Sequence, residues 1–239
     1  MPATGPEGHD RALVLSGAIL GALIVVVIAI LVLAFTGVLP FAKTTPAPIP
    51  TATPTPAQRV LYQSPMTSAA SGSKWPGDRS WPNDDQCSQR NDGYHVTNNA
   101  VCVLSRYTPP ADVNISVEVK QVSGLTDPSY GVAFHRASAG NFYTFEINGS
   151  GRWYFFKELG GTISQAGGGT TTSAIHKGLN ATNLLTVRIS GSTYRFFVNG
   201  QLVGTGTDKS FANGQTGLDG NEQMEVVYTN FTVSQTIGS

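Results

Sequence analysis

The sequence predicts an all-β domain, a two-sheet antiparallel jelly-roll sandwich, preceded by one transmembrane helix and a Pro/Thr-rich stalk. Three observations support this architecture. An uncharged apolar run covers residues 12–36, a Pro-rich linker follows at 37–59, and strand-period patterns with tight turns fill residues 60–239. The residues ahead of the run, 1–11, form a short tail that we expect on the cytoplasmic side.

The apolar run has the length of a membrane-spanning helix. It has no charge between Arg11 and Lys43 and is almost wholly aliphatic from Ala12 to Phe35. Crossing a bilayer core takes roughly 20 apolar residues, whereas the apolar part of a cleaved signal peptide has only about 7–15. We therefore expect an uncleaved signal anchor. The alternative is cleavage, for which the nearest small-residue site, at Ala42, lies beyond a normal apolar region.

Two glycines inside the run have the spacing of a helix-pairing motif. Gly17 and Gly21 form a GxxxG pattern, which lets two helix backbones approach closely. A homodimer through the transmembrane helix is one interpretation. Glycine is also simply frequent in membrane helices, and we favour that second explanation.

The stretch after the anchor has the composition of an extended stalk. From Pro40 to Gln58, in PFAKTTPAPIPTATPTPAQ, proline alternates with threonine and alanine. Such a segment favours polyproline II at about 3.1 Å per residue, which gives a reach of roughly 60 Å. Stalks of this composition are commonly found on cell surfaces.

The cysteines give the second clue to location. Cys87 and Cys102 are the only two in the chain. Metal sites need three or four ligands, and no cluster of Cys and His accompanies this pair, so a disulfide is the better interpretation. Disulfides persist in oxidising compartments. Stalk and disulfide together predict a single-pass cell-membrane protein whose C-terminal domain is extracytoplasmic.

Composition argues against two classes of partner. The chain has 15 basic and 15 acidic residues and is therefore neutral, so no basic face for nucleic acid is expected. The glycine-rich stretch 160–174 lacks the GK[ST] ending of a phosphate-binding loop. We interpret that stretch as a loop or a flat sheet edge.

Strand periodicity and turn residues predict the sandwich. Apolar and polar side chains alternate over 113–120, 142–147 and 185–189, as on half-buried strands. Asn199-Gly200 is a strong hairpin signal, and Asn148-Gly149 is a second candidate turn. Many short strands joined by tight turns are typical of β-sandwiches, and sheets of this size usually pair as a jelly roll.

Several segments together resemble a known superfamily. They are YGVAFHR (130–136), NFYTFEI (141–147), GRW (151–153), NLLTVR (183–188), FVNG (197–200), GQTGL (214–218) and NFTV (230–233). This set is similar to the concanavalin A-like lectin/glucanase jelly roll, in particular to laminin-G-like and bacterial 3-keto-disaccharide hydrolase-type domains. The resemblance covers roughly residues 131–233. It implies the fold, and it leaves open whether the domain binds or hydrolyses glycans.

Paired carboxylates distinguish these two activities. Glucanase-type members of the superfamily carry E-x-D-x-x-E on one strand, and no segment here matches it. Glu222 and Glu225 are three apart and would point to opposite faces of a regular strand. We assign no catalytic residue and expect a non-catalytic carbohydrate-binding module at the cell envelope. A hydrolase of the 3-keto-disaccharide type, which has no short motif to check, and a structural or sensory ectodomain that binds protein are the alternatives.

Sugar binding needs exposed aromatic faces and a few fixed polar groups. If Tyr143, Phe145 and Ile147 face the core, then Glu146 faces outward. On the next strand, either Trp153 and Phe155 or Tyr154 and Phe156 do the same. The candidate ligand-binding patch is His135, Glu146, Tyr154, Arg188, Arg195 and Phe197.

Simpler explanations compete with this patch. His135 would then be a hydrogen-bonded strand histidine, Glu146 and Arg188 an ordinary cross-strand pair, and the aromatic side chains part of the core. Asp219, Asn221 and Glu222 are weak candidates for calcium ligands, and we favour a plain turn there. No other cofactor is expected.

Overall fold

Two antiparallel β-sheets make up residues 57–67 and 84–237, the part of the chain that the computed structural model describes. These residues belong to one compact unit, Thr55–Ser239. The predicted tail, transmembrane span, GxxxG pair and most of the stalk lie outside the described residues. Within those residues, no helix is long and apolar enough to cross a membrane.

The described residues contain fourteen strands. In chain order they are β1 (Gln58–Ser64), β2 (Cys87–Arg90), β3 (Gly93–Thr97), β4 (Ala100–Val103), β5 (Asn114–Gly124), β6 (Ser129–Ser138), β7 (Asn141–Asn148), β8 (Arg152–Leu159), β9 (Thr162–Thr171), β10 (Asn183–Ser190), β11 (Thr193–Val198), β12 (Gln201–Thr207), β13 (Gln215–Gly220) and β14 (Met224–Thr236). The first of them begins at Gln58, close to the domain boundary predicted at residue 60.

The strands pair into an eight-stranded and a six-stranded sheet. The larger sheet has the order β12-β11-β10-β5-β14-β3-β2. Its eighth strand, β1, pairs with the C-terminal part of β14, whereas β3 pairs with the N-terminal part of β14. The smaller sheet has the order β4-β13-β6-β7-β8-β9. The predicted all-β, two-sheet antiparallel sandwich is confirmed. The stretch 160–174 contains β9, which is an edge strand, as the flat-edge interpretation expects.

The core lies between the sheets and is rich in aromatic rings. Phe145 of the smaller sheet stacks on Phe196 of the larger one, with ring centroids 4.9 Å apart. The ring centroids of Tyr143 and Tyr194 are likewise 5.2 Å apart. Along β5, Ile115, Val117 and Val119 are buried in this core, as the alternation predicted. Strand β7 differs, because both of its faces are buried. One face packs in the core, and the other carries polar groups.

The predicted disulfide and both predicted turns are present. Cys87 and Cys102 form a disulfide, so that prediction is confirmed. The bond joins β2 of the larger sheet to β4 of the smaller one. Asn199 and Gly200 have φ values of 50° and 81°, the left-handed pair that a type I′ hairpin requires. At the second turn, the Gly151 amide donates to the Asn148 carbonyl oxygen at 3.0 Å.

Candidate ligand-binding site

A pocket of about 570 Å³ opens on the outward face of the six-stranded sheet. Its floor is the polar face of β7, where Phe142, Thr144 and Glu146 alternate with residues that face the core. Strand β8 adds Tyr154 and Phe156 as a wall beside this floor. The period-2 geometry of a strand therefore places apolar packing on one side of β7 and a ligand-sized cavity on the other.

Strand register puts two acidic side chains in one row. Glu146 lies opposite Tyr154 of β8 on one side and opposite Gly131 of β6 on the other. Gly131 in turn lies opposite Asp219 of β13. These four residues form a row across neighbouring strands, with the two carboxyl-bearing residues on either side of a glycine.

The glycine at the centre of the row is required by close backbone approach. A Cβ atom at Gly131 would lie 2.0 Å from the Phe145 carbonyl oxygen and 2.8 Å from the Glu146 Cα. On either side of this glycine, the carboxyl groups of Asp219 and Glu146 are close enough to share a hydrogen bond. The Tyr228 hydroxyl supports this backbone from the core, 2.6 Å from the Asp219 carbonyl oxygen and 3.0 Å from that of Gly131.

Glu146 is held by a shell of polar donors. It is only 4% exposed. The Ser129 hydroxyl donates to Oε2 and the Thr144 hydroxyl donates to Oε1, both in short hydrogen bonds. The Asn221 amide donates to the Ser129 carbonyl oxygen at 2.6 Å and lies 3.4 Å from Glu146 Oε2. The carboxyl group is thus fixed before any ligand arrives.

The electrostatics of the pair favour one shared proton. Burial raises the pKa of Asp219 well above that of an ordinary carboxyl group, and the charges of Glu146 and Glu158 raise it further. Two adjacent buried carboxyl groups cannot both ionise cheaply. Burial and the neighbouring charges therefore favour the neutral form of Asp219, which can donate a hydrogen bond to Glu146.

Aromatic rings complete the wall of the pocket. The rings of Tyr154 and Phe156 are stacked, with centroids 5.3 Å apart and planes 12° from parallel. They stand on the same face of β8, because they are two residues apart, and Phe142 lines the pocket beside them. The site therefore offers apolar ring faces next to fixed hydrogen-bonding groups.

The structure divides the six predicted patch residues among three places. Glu146 and Tyr154 come together in the pocket, in directly opposite register. Arg188, Arg195 and Phe197 lie on the outward face of the other sheet, where the Arg188 guanidinium sits 4.3 Å from the centre of the Phe197 ring. The six residues therefore do not form one surface. The suggestion that Glu146 and Arg188 are a cross-strand pair is wrong, because they belong to different sheets.

His135 is in the core rather than on a face. A register shift in β6 between Phe134 and Ser138 interrupts the alternation, and His135 has a φ of 48°. Its ring nitrogens lie 3.1 Å from the Phe211 carbonyl oxygen and 3.3 Å from that of Ala111. Burial lowers the pKa of His135 despite these two carbonyl groups. The expectation that its side chain faces outward is wrong, and the alternative of a hydrogen-bonded strand histidine is confirmed.

The three weak calcium candidates line the pocket. Asn221 and Glu222 lie in the connection between β13 and β14, as the plain-turn interpretation expects, and Asp219 is the second-last residue of β13. Among residues 57–67 and 84–237, no group of three or more His, Cys, Asp or Glu side chains is arranged to hold a metal ion. The raised pKa of Asp219 also makes it a weaker ligand for a hard cation, which prefers ionised carboxylates.

Several residues that line the pocket were not predicted from the sequence. Ser129, Thr144, Phe156 and Glu158 line the cavity, and none was in the candidate patch. A signal existed for Thr144 and Phe156, which share the outward faces of Glu146 and Tyr154 on the same strands. No local signal pointed to the contact between Asp219 and Glu146, since it depends on β13 pairing with β6.

The fold and the pocket define a lectin-type β-sandwich with a polar, aromatic-walled site on one sheet. Residues 97–233 match the laminin G family model described as the Concanavalin A-like lectin/glucanases superfamily. The chain belongs to this superfamily. No curated protein is significantly similar to it in sequence.

Solved structures with the same fold are distant in sequence. A carbohydrate-binding module, CBM66 from Bacillus subtilis, is 19% identical, with a TM-score of 0.54 over 65% of this chain and 91% of the module. A protein with a galectin-like fold from Bacillus subtilis is 13% identical, with a TM-score of 0.55 over 77% and 99% of the two chains. A protein from Parabacteroides distasonis, named a putative glycosyl hydrolase, is 12% identical, with a TM-score of 0.54 over 73% of this chain and 99% of that protein.

Proposed function

We propose that this protein is a membrane-anchored, extracytoplasmic module that binds carbohydrate without hydrolysing it. The observation that carries the proposal is the pocket on the six-stranded sheet. There, the stacked rings of Tyr154 and Phe156 stand beside the fixed carboxyl pair of Glu146 and Asp219.

The chemistry of this pocket suits a sugar ring. A pyranose or furanose has apolar C–H faces that pack on aromatic rings, and its hydroxyl groups need donors and acceptors in fixed positions. Tyr154 and Phe156 supply the first, while Glu146 and Asn221 supply the second. The volume of about 570 Å³ falls within the range of small-molecule sites. One of the structures of similar fold is itself named a carbohydrate-binding module.

The carboxyl pair supports binding rather than hydrolysis. Glycosidases place two carboxyl groups on either side of the scissile bond, roughly 5–10 Å apart. Asp219 and Glu146 are instead in direct hydrogen-bond contact. A hydrogen-bonded pair of carboxyl groups does not have the separation that this glycosidase arrangement needs.

A glycan array on the purified full chain tests this proposal, with product analysis of every glycan that binds. We expect specific binding without turnover, and Tyr154→Ala should lower the affinity roughly tenfold because it removes a stacking face. Phe197→Ala is the matched control, because it removes an aromatic ring from the opposite sheet. Product formation would instead support a hydrolase of the 3-keto-disaccharide type. Absence of any glycan binding would favour an ectodomain that recognises protein.

The anchor is proposed from the sequence, because the uncharged run of residues 12–36 has the length of a membrane span. Membranes from cells that make the chain should retain it after alkaline carbonate washing. Protease added to intact cells should release the domain if it is extracytoplasmic. Extraction of the protein by carbonate would overturn the anchor. Protection of the domain from the protease would overturn its extracytoplasmic orientation.

A further inference from the structure

Every charged side chain that lines the pocket is acidic. Glu146 and Asp219 form the floor, and three more carboxyl groups surround them: those of Asp127, Glu158 and Glu222. None of the described residues that line the pocket is a lysine, an arginine or a histidine. The lining of the pocket is therefore negative overall, even with Asp219 in its neutral form.

No described cation forms an ion pair with these carboxyl groups. Between residues 57–67 and 84–237, the ion pairs join Arg90 and His95 to Glu225, His95 to Asp92, and Lys157 to Asp208. Lys157 is adjacent to Glu158 in sequence. It nevertheless points to the other side of β8, where its ammonium nitrogen lies 2.8 Å from Asp208 Oδ2.

The aromatic wall adds to the same preference. The faces of Tyr154 and Phe156 carry the negative side of the ring quadrupole and attract a cation within about 6 Å. The rise in the pKa of Asp219 is itself partly due to the negative charges of Glu146 and Glu158. Ring faces and carboxylates next to one another, with no competing cation, are the chemistry that recognises an organic ammonium group.

We propose that the pocket selects a sugar that carries a free ammonium group, such as a 2-amino-2-deoxyhexose unit. This inference rests on the proposed carbohydrate-binding function and assigns its ligand class. The sugar ring packs on the aromatic stack, while the ammonium group donates its three N–H bonds to the surrounding carboxylates. N-acetylation removes this charge, and a uronic acid brings a carboxylate into a negative site.

Titration calorimetry on the full chain with three short oligosaccharides tests the inference. The probes are a trimer of glucosamine, its fully N-acetylated counterpart and a trimer of galacturonic acid. We expect the glucosamine trimer to bind roughly tenfold more tightly than the acetylated one, the order that one or two partly exposed ion pairs supply. This preference should shrink as salt is raised from about 0.05 to 0.5 M. The galacturonate trimer should bind most weakly.

Two rim substitutions assign the selectivity to the pocket. Glu158→Gln and Glu222→Gln should each lower affinity for the glucosamine trimer roughly two- to fivefold, and should change affinity for the acetylated trimer less than that. Glu118→Gln is the matched control, since it removes the same charge from β5 in the other sheet, where Glu118 accepts a hydrogen bond from Asn230 at 2.8 Å.

The outcomes separate this inference from the proposed function. Equal binding of the two glucosamine-derived trimers, a preference for galacturonate, or a preference that Glu158→Gln and Glu222→Gln leave intact would each overturn the ammonium selectivity. In those cases a ligand found on the glycan array still upholds carbohydrate binding. If no glycan on the array binds, both proposals are overturned.

Discussion

The carboxyl group of Asp219 is hydrogen-bonded to that of Glu146 across Gly131, at the floor of the pocket. The two residues come from strands that are not neighbours in the sheet. The strand between them, β6, contributes Gly131 to the same row. This contact gives the pocket a buried, proton-sharing pair, whose consequences for stability and binding can be measured.

The shared proton makes stability depend on pH. Burial raises the pKa of Asp219 above its ordinary value of about 4, so in the window above that value the folded state holds a proton that the unfolded state has released. The free energy of unfolding should therefore fall as pH rises through that window. Asp219→Asn cannot ionise and still donates to Glu146, so it should remove this fall. Urea unfolding from pH 4 to 9 measures both curves.

Asp85→Asn provides the control for that experiment, because Asp85 is exposed and does not line the pocket. Its pH dependence should match that of the wild type. Parallel curves for wild type and Asp219→Asn would contradict the shared proton.

Gly131→Ala should disrupt the row itself. The new methyl group would lie 2.0 Å from the Phe145 carbonyl oxygen, a backbone atom that cannot rotate away. Overpacking against backbone should lower the free energy of unfolding by about 3 kcal/mol or more. Gly167→Ala is the control, since its methyl group would come no closer than 3.7 Å to Phe155. Similar urea midpoints for the two variants would show that β6 and β7 can separate without cost.

Asp208 should govern stability on the acid side. Burial raises its pKa, but hydrogen bonds from Lys157, Ser210 and Tyr143 outweigh that effect and leave the pKa lowered. A lowered carboxyl pKa contributes stability that is present above about pH 4 and is lost as the pH falls further. Asp208→Asn should therefore be less stable than wild type at pH 7, and the difference should shrink towards pH 2. A difference that stays constant with pH would refute this role.

The disulfide should contribute to stability across the sandwich. Cys87 and Cys102 tie the edge of one sheet to the edge of the other. Replacing both with alanine should lower the free energy of unfolding by about 2–4 kcal/mol. Reduction of the wild-type chain should reproduce the loss, while reductant should leave the double variant unchanged in a denaturant titration. An equal midpoint in wild type and double variant would contradict the prediction.

Local periodicity was a good guide to one face of the site. Alternation along 142–147 predicted that Glu146 points away from the core, and the pocket floor confirms it. On β8 the sequence left open which pair of aromatic residues faces outward. In the structure Tyr154 and Phe156 line the pocket, and Trp153 and Phe155 lie in the core. Side-chain direction along a single strand follows from backbone geometry, so it can be inferred without knowing the partners of the strand.

The same rule failed where the backbone was irregular or the partner strand mattered. At His135 a bulge shifts the parity of β6, so the ring turns into the core. Arg188 and Phe197 do face outward, but on the other sheet. Alternation of apolar and polar residues indicates on which face of its own strand a side chain lies. It does not indicate to which sheet that strand belongs.

The sequence by itself determined the all-β class, the hairpin at Asn199-Gly200 and the superfamily, because each depends on local sequence patterns. It also determined the disulfide, because two cysteines can pair in only one way. Tertiary structure alone decided that Asp219 meets Glu146 and that the carboxyl groups around them share one pocket. Those contacts arise from strand order and register, which are set by the packing of the whole sandwich rather than by any one segment. The ligand that we propose follows from that arrangement of charge, not from a motif.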